Sequence, residues 1–254
     1  MQPIKLVIFS DTQFPFIDWG VDHAFNNFLS DWKPDIVVMN GDGVDFYGIS
    51  QYDRDPSRKS RVREELEDFR HYIHQKELLV PGAKLYYNGG NHEDRLRRYL
   101  WRKASEIADM EELSLPRLLG IENWQYTPYH RPQLDVGRIG TDLHGLLIVH
   151  GFLVRRWSAY TARAHYEKFG GSGVVGHTHR LGAFYHTDYR GEYVWLEGGC
   201  MCSLVPEYTI SPDWQQGFVA GYLFPRDGKE KVRFDIRQIP IVNKKFGWEG
   251  KIYK

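Results

Sequence analysis

Residues 36–45 read Ile36-Val37-Val38-Met39-Asn40-Gly41-Asp42-Gly43-Val44-Asp45, and this stretch decides how the chain is expected to fold. The first four residues form a short apolar run, which is typical of a strand buried on both faces of a sheet. The glycines that follow let the backbone turn and approach its neighbours closely. The stretch therefore predicts a buried strand over residues 36–39 whose carboxyl end carries side chains that can bind metal.

Four more apolar runs end in the same way. They lie at residues 7–9, 85–87, 146–149 and 174–175, and they precede Asp11 and Gln13, Asn91 and His92, His150, and His177 and His179. Ligands at strand ends sit on rigid supports, and one rim can gather them. Three Asp or Asn oxygens, one Gln and three His are too many for one tetrahedral zinc and suit two ions that share a carboxylate. Such a pair can bind both oxygens of an in-line phosphoryl displacement and make hydroxide available near neutral pH.

These motifs, in this order, resemble those of the calcineurin-like metallophosphoesterases. The resemblance spans residues 4–180 and rests on Asp11-x-Gln13, Gly41-Asp42-x-x-Asp45, Gly90-Asn91-His92-Glu93, His150-Gly151 and Gly176-His177-x-His179. It implies an α/β fold, a four-layer α/β/β/α sandwich in which two mixed β-sheets are flanked by helices. The length of 254 residues favours a single domain over residues 1–254.

The resemblance also implies a role for each site residue. One metal would be held by Asp11, Gln13, Asp42 and His179, and the second by Asp42, Asn91, His150 and His177, so that Asp42 bridges the two. His92 would be catalytic rather than a ligand, because the equivalent histidine of the family faces the phosphate and assists the leaving oxygen. Asn91, His92 and Arg180 are the expected substrate-binding residues. Asp45 either supports a ligand from behind or caps the turn.

Gln13 departs from the family, which usually has Asp-x-His in this motif. A Gln carbonyl is a neutral oxygen ligand, harder than an imidazole nitrogen, so the two divalent ions are expected to be Mn, with Fe, Zn, Co and Ni as alternatives. The Mn-dependent ADP-ribose/CDP-alcohol diphosphatases of animals resemble this chain in having Gln at this position. The amino-acid sequences of residues 90–95 and 213–218 also resemble those of uncharacterised phosphoesterases of bacteriophages and prophages.

Composition limits the partners that the chain is expected to have. The formal net charge is zero, so no global field draws the protein to nucleic acid or to an anionic membrane. No signal-peptide core and no membrane-length apolar run is evident, and no protein partner is indicated. Cys200 and Cys202 are too close for an ordinary disulfide framework and are interpreted as buried free thiols. We therefore expect a cytoplasmic setting, that of a bacterial host if the chain is phage-encoded.

Hydrophobic periodicity predicts the remaining elements. Helices are expected over about 21–31, 57–79, 91–103 and 158–169, and strands over 4–9 and 84–88. Residues 104–133 suggest short helices with an irregular strand, and residues 243–254 a tail that packs or frays. Alternating patterns at 184–187, 193–196, 217–224 and 232–239 predict antiparallel strands of a second sheet that faces the first.

Charged and aromatic residues near the motifs leave the substrate open. The arginines of residues 95–102 follow two acidic residues, which suits a solvated helix face. Arginines that could bind phosphate lie instead just past the motifs, at Arg54, Arg155, Arg156 and Arg180. Aromatic rings that could stack on a base are those of Tyr52, Trp157, Tyr160 and Trp214.

Three functions are therefore compared. A phosphodiesterase or phosphatase that acts on a small, nucleotide-like phosphate ester fits the neutral charge. A DNA or RNA nuclease, similar to the repair exonucleases of the superfamily, fits the arginines, but the zero net charge and the lack of a long C-terminal capping domain oppose it. A scaffold that lost the chemistry is disfavoured, because His92 and nearly every ligand are retained.

Overall fold

The computed structural model describes residues 2–51, 61–131, 134–135, 145–205, 211–224 and 233–254. The described helices are α1 (Trp19–Trp32), α2 (Val62–Leu79), α3 (Glu93–Lys103), α4 (Leu115–Leu119) and α5 (Tyr160–Phe169). The described strands are β1 (Ile4–Phe9), β2 (Ile36–Met39), β3 (Lys84–Asn88), β4 (Gln125–Thr127), β5 (Leu134–Asp135), β6 (Leu146–Val149), β7 (Ser172–Val175), β8 (Leu181–Asp188), β9 (Gly191–Gly198), β10 (Gly217–Phe224), β11 (Arg233–Pro240), β12 (Phe246–Trp248) and β13 (Lys251–Tyr253).

Two mixed sheets form the centre of the fold. The first has the order β11-β10-β1-β2-β3-β4. In it β1 to β4 run parallel, β10 is antiparallel to β1, and β11 is antiparallel to β10. The second has the order β5-β6-β7-β9-β8, in which β6, β7 and β9 run parallel. Parallel strands present their carboxyl ends at one edge of a sheet, so each sheet contributes several strand ends to a common rim.

Alternating side chains of the first sheet separate the layers. On β1, Val7 and Phe9 face a core shared with α1 and α2, while Leu6 and Ile8 face a core shared with the second sheet. On the far side of the second sheet, Trp195 packs with residues of α5. The order of layers is therefore helix, sheet, sheet, helix, which confirms the predicted α/β/β/α sandwich with two mixed sheets flanked by helices.

The predicted composition of the second sheet is wrong in part. β8 and β9 belong to that sheet, but β10 and β11 extend the first sheet, where Val7 of β1 pairs with Ala220 of β10. The physical reason is burial: nearly every residue of β10 is buried, so this strand occupies a position between two neighbours and two layers. β6 and β7, which precede two of the ligand motifs, belong to the second sheet, so both sheets contribute ligands.

Helix boundaries follow local capping. α1 begins after Asp18, whose carboxylate accepts hydrogen bonds from the backbone N–H groups of Gly20 and Val21, and it ends at the left-handed Lys33. α2 begins at Val62, since Arg61 is extended; the earlier start predicted at residue 57 lies outside the described residues. Within the part of the chain that the structure describes, no helix is long and apolar enough to cross a membrane.

The C-terminal residues pack as a hairpin, which settles the alternative between packing and fraying. β12 and β13 pair antiparallel, and Phe246, Trp248 and Tyr253 are buried. Their rings contact Phe28 of α1 at centroid distances of 5.4 to 5.9 Å. The hairpin therefore covers the outer face of α1.

A buried carboxyl group on α2 predicts how stability depends on pH. Glu65 Oε1 accepts a hydrogen bond from the Phe46 N–H, while Oε2 is buried without a hydrogen-bond partner. Burial, and next the charge of Asp45, raise the pKa of Glu65 to about 8, against the opposing hydrogen bond from Phe46. The unfolded chain therefore releases this proton at lower pH than the folded protein does, and stability is lost as pH rises through about 8.

We expect Glu65→Gln, which keeps the acceptor and removes the ionisation, to abolish this loss. Relative to Glu65→Gln, the wild-type free energy of unfolding should fall by up to about 1.4 kcal/mol per pH unit between pH 5 and pH 8. Chemical denaturation at several pH values measures this difference. Glu67→Gln, on the exposed face of α2, is the control: it keeps Glu65, so the wild-type free energy of unfolding should show no such fall relative to this variant. A difference between the wild type and Glu65→Gln that stayed constant with pH would contradict the burial argument.

Candidate metal centre

Two buried asparagines hold the rim of the two sheets together. Asn40, directly after β2, donates from Nδ2 to the Val149 carbonyl at 2.7 Å. Asn88, at the end of β3, donates to Asn40 Oδ1 at 2.9 Å and to the Ile148 carbonyl at 3.0 Å. Sequence reasoning missed both residues, although a polar amide directly after a buried apolar run was the available signal. These bonds bring the carboxyl ends of β2, β3 and β6 together.

One group of candidate ligands forms around Asp42. His150 Nε2 lies 3.1 Å from Asp42 Oδ2 and 3.1 Å from Asn91 Oδ1. Ligand atoms of Asp42, His150 and His177 all lie within 4.8 Å of one another. His150 Nδ1 is 2.7 Å from the Asn40 carbonyl, which can only accept. Nδ1 therefore carries a proton, and Nε2 is the atom available to an ion.

A second group forms around Asp11. His179 Nε2 lies 3.2 Å from Asp11 Oδ1 and 3.0 Å from Gln13 Nε2. Asp11 is fully buried, and its Oδ1 has no hydrogen-bond partner. Half a turn of the Gln13 amide brings its Oε1 to the same place, which gives the oxygen that a cation needs. An unpartnered buried carboxylate oxygen beside an imidazole nitrogen fits a metal ion well.

The backbone at these positions is strained. Five non-glycine residues of the two groups adopt left-handed conformations with φ between 45° and 68°, namely Asp11, Gln13, Asp42, His177 and His179. Such conformations cost free energy and persist only where the surroundings impose them. Their concentration at one rim marks a functional site, and no pattern in the sequence predicted them.

The loop that carries Asp42 is organised by Glu93. Glu93 Oε2 accepts from the N–H groups of Asp42 and Gly90 at 3.0 and 2.6 Å, and Oε1 accepts from Gly43 at 2.8 Å. Tyr87 Oη also donates to Oε1 at 2.8 Å. The sequence analysis assigned no role to Glu93 beyond its place in the Gly90-Asn91-His92-Glu93 motif and at the acidic start of a helix. Gly90 is required here, because a Cβ on it would lie 2.1 Å from Asp42 Oδ1.

His92 and Asp45 lie beside Asp42. The backbone N–H of His92 donates to Asp42 Oδ1 at 2.9 Å, and its Nε2 is 3.7 Å from Asp42 Oδ2. His92 Nδ1 lies 3.1 Å from the carbonyl oxygen of Asp45 and 3.3 Å from its Oδ1. The Asp45 carboxylate thus faces His92, which is not one of the expected ligands, and the two roles predicted for Asp45 stay predictions.

The charge pattern predicted that Arg95 lies on a solvated helix face, and for this residue the prediction is wrong. Its Nη1 donates to Asp45 Oδ1 at 2.6 Å, and its Nη2 lies 3.1 Å from His92 Nε2. The predicted Arg180 instead donates to the carbonyls of Arg155 and Arg156, at 2.7 and 3.2 Å. Arg95 lies three residues after His92, which places the two side chains on the same face of a helix. This spacing was the signal that could have identified Arg95.

A cavity of about 530 Å³ opens over both groups. Trp214 forms part of its wall and lies against His179 with the ring centroids 4.1 Å apart, whereas Trp157 and Tyr160 are exposed elsewhere. Tyr52 and Arg54 lie outside the described residues. The cavity lining consists of Gln13, Asp42, Asp45, Tyr47, Ser50, His92, Arg95, His177, His179 and Trp214.

The charges of the site favour a cation. Burial opposes the charged form of His150, but the charge and hydrogen bond of Asp42 outweigh it and raise the pKa of His150 to about 10. Burial likewise opposes a charge on His179, yet Cys202 and Asp11 raise its pKa to about 10. Burial and the charge of His150 lower the pKa of His177 to about 4. Without a metal ion, protons on His150 and His179 therefore compensate the negative charge of the buried carboxylates. Bound cations would supply the same compensation.

In amino-acid sequence this chain is similar to two phage proteins. No family model matches it. It is 28% identical over 267 residues to the Gene 54 protein of Mycobacterium phage D29, with 98% of each chain covered. It is 27% identical over 261 residues to the Gene 54 protein of Mycobacterium phage L5, again with 98% of each covered.

Solved structures similar to this chain include a vacuolar sorting protein and a metallophosphoesterase. Vacuolar protein sorting 29 of Cryptosporidium parvum has a TM-score of 0.45 and 14% identity, with 94% of this chain and 100% of that chain covered. A metallophosphoesterase of Sphaerobacter thermophilus has a TM-score of 0.43 and 18% identity, with 92% of this chain and 87% of that chain covered.

The role of Glu93 can be tested by removing its charge. Glu93→Gln replaces one accepting oxygen by an NH₂ group that faces backbone N–H groups, so we expect a loss of about 1.5–3 kcal/mol in the free energy of unfolding. The Mn content after dialysis should fall as well, because the Asp42 loop loses its support. Asp94→Asn is the matched control, since this acid of α3 bonds only Arg97 and Arg98 among the contacts described. Wild-type Mn content in Glu93→Gln would contradict the assigned role.

Proposed function

We propose that this chain is a metal-dependent phosphoesterase of the calcineurin-like type, which hydrolyses phosphodiester or phosphomonoester bonds of a nucleotide-like substrate. One observation carries the proposal: side chains from five strand ends converge on one rim in two groups, which the hydrogen bond from the His177 N–H to Asp11 Oδ2 joins. The order of the motifs along the chain is not needed for this step, since the convergence itself provides the ligands. The cavity of about 530 Å³ has the size of a small-ligand site.

The donors present fit two ions. Asp11, Gln13, Asp42 and His179 would hold the first, and Asp42, Asn91, His150 and His177 would hold the second. The backbones of the two groups are joined, since the Gln13 N–H donates to the Asp42 carbonyl at 3.0 Å. A site of mixed oxygen and imidazole donors suits first-row ions, and the neutral Gln13 oxygen favours Mn. Two such ions, when bound, supply Lewis acidity to phosphoryl oxygens and lower the pKa of water.

His92 is the proton-handling residue of the proposal. Its Nδ1 is held by Asp45, which leaves Nε2 directed toward Asp42 and the cavity. Burial disfavours a charge on His92, but the charge of Asp42 and the hydrogen bond of Asp45 outweigh it and raise the pKa of His92. A protonated Nε2 can donate to the oxygen of the leaving group as the ester bond breaks.

Turnover by the Mn-loaded protein tests the proposal directly. We expect hydrolysis in a parallel assay of a phosphomonoester, a phosphodiester, a dinucleotide pyrophosphate and single-stranded DNA. His92→Ala should lower kcat by about 100-fold or more while the bound Mn stays at the wild-type amount, because general acid catalysis contributes on that order. Hydrolysis of none of the four, or equal kcat in His92→Ala, would contradict the proposed function or the proposed role of His92, respectively.

Arg95 is the guanidinium that we assign to the substrate. It lines the cavity and is anchored by Asp45, so a short movement from His92 Nε2 brings Nη2 to a phosphoryl oxygen. The prediction for Arg180 stays a prediction. Arg98 of the same helix has a more exposed side chain and pairs with Asp94 instead, so it provides a matched comparison.

We expect Arg95→Ala to raise KM by about tenfold or more, as the loss of a charge-assisted bond to phosphate does, with a smaller change in kcat. Arg98→Ala should leave KM near the wild-type value. Steady-state kinetics on the preferred substrate measures both. If the two variants changed KM equally, general surface charge rather than a specific contact would explain the result.

A nuclease is the second candidate, and two arginine–tryptophan pairs favour it. Arg97 lies over the ring of Trp101 at 4.3 Å, and Arg156 lies over Trp157 at 4.7 Å. Both pairs follow ligands along the chain, on the segments after Asn91 and after His150, and such surfaces bind single strands by stacking. Steep weakening by salt of DNA hydrolysis in the parallel assay would favour this candidate. Since the similar Gene 54 proteins belong to phages, we infer the cytoplasm of a bacterial host as the setting.

A further inference from the structure

Two thiols lie directly behind His179, on the side away from Asp11. Cys202 Sγ is 3.8 Å from His179 Nδ1, and Cys200 Sγ is 3.6 Å from the carbonyl oxygen of Gln215. Both cysteines are free and buried, as predicted. The two sulfurs and the imidazole nitrogen all lie within 4.8 Å of one another. The fold thus brings His179, which is distant along the chain, beside the two cysteines.

The direction of the hydrogen bonds in this cluster follows from the group at one end of it, the backbone carbonyl of Gln215. The Gln215 carbonyl can only accept, so the Cys200 S–H donates to it. Cys200 Sγ, which lies within 4.8 Å of Cys202 Sγ, is then available to accept the S–H of Cys202. Cys202 Sγ in turn is left to accept from His179, which makes Nδ1 the donor. The chain of donors runs from His179 through Cys202 and Cys200 to Gln215.

This direction has a consequence for the metal centre. With a proton on Nδ1, His179 offers the lone pair of Nε2, and Nε2 is the atom that faces Asp11 Oδ1 and Gln13. The opposite direction, with an S–H donated to Nδ1, would place a proton on Nε2 and exclude a cation from it. Partners of this kind fix the tautomer and ring orientation of metal-binding histidines, and their loss typically costs about 10- to 100-fold in metal affinity.

We propose that Cys202 is a positioning residue, which orients His179 for the ion at Asp11, Gln13 and His179. The proposal rests on the proposed metal centre. The two ion positions then differ in what stands behind their histidines: a backbone carbonyl at 2.7 Å for His150, and a thiol for His179. A thiol sulfur is a weaker acceptor than a backbone carbonyl, so the ion at Asp11 depends on the weaker of the two supports.

Titration of metal-free protein with Mn²⁺ tests this, with free Mn²⁺ followed by electron paramagnetic resonance. The wild type should show a tighter and a weaker class of bound ion. Cys202→Val fills the space of the thiol but cannot accept a hydrogen bond, so one of the two classes should lose about 10- to 100-fold in affinity while the other is unchanged. Cys202→Ser, which can accept, should lie closer to the wild type than Cys202→Val does. Cys202→Ala is a second variant without an acceptor, should the valine prevent folding.

Several results would overturn the proposal. These are wild-type affinities in Cys202→Val or Cys202→Ala, an equal loss in both classes, and a loss in Cys202→Ser as large as in Cys202→Val, which would indicate packing alone. A sulfur-to-metal charge-transfer band on titration with Cd²⁺ would instead show that Cys200, Cys202 and His179 bind a soft ion themselves. Failure of the wild type to bind two Mn²⁺ would be a failure of the proposed metal centre, which is a different outcome.

Discussion

The burial of the Asp42 carboxylate is the constraint on which the rest of the site depends. Asp42 is 1% exposed, and an isolated buried charge is costly unless cations or donors compensate it. His150 and the His92 N–H supply part of this compensation, at 3.1 and 2.9 Å. Glu93 holds the backbone on which Asp42 stands, although it adds a second negative charge nearby. A centre with this much buried negative charge is stable when cations occupy it.

Much of the fold could be predicted because its central strands are simple. The limits of β1, β2 and β3 agree with the predicted 4–9, 36–39 and 84–88, since apolar runs bounded by turn residues admit few other interpretations. The alternating C-terminal strands were also found as strands. Their assignment to sheets failed for β10 and β11, because alternation reports how many faces of a strand are buried and not which strand lies beside it.

The site was predictable as a set of residues and not as a set of contacts. Motif order singled out Asp11, Asp42 and the histidines, and the structure brings them to one rim. The network behind them escaped prediction, because its members come from distant parts of the chain. Asn40 and Asn88 bridge the sheets, and Cys202 reaches His179 from another turn. Arg95 was overlooked because the helix macrodipole already explained its charge.

Anomalous diffraction from crystals grown with Mn²⁺ tests the central claim most directly. The account predicts two peaks about 3.5–4 Å apart, as in two-metal phosphoryl-transfer sites, with Asp42 between them. One peak should be bounded by Asp11, Gln13 and His179, and the other by Asn91, His150 and His177. A single peak with no ligand from Asp42, or two peaks away from this rim, would contradict it.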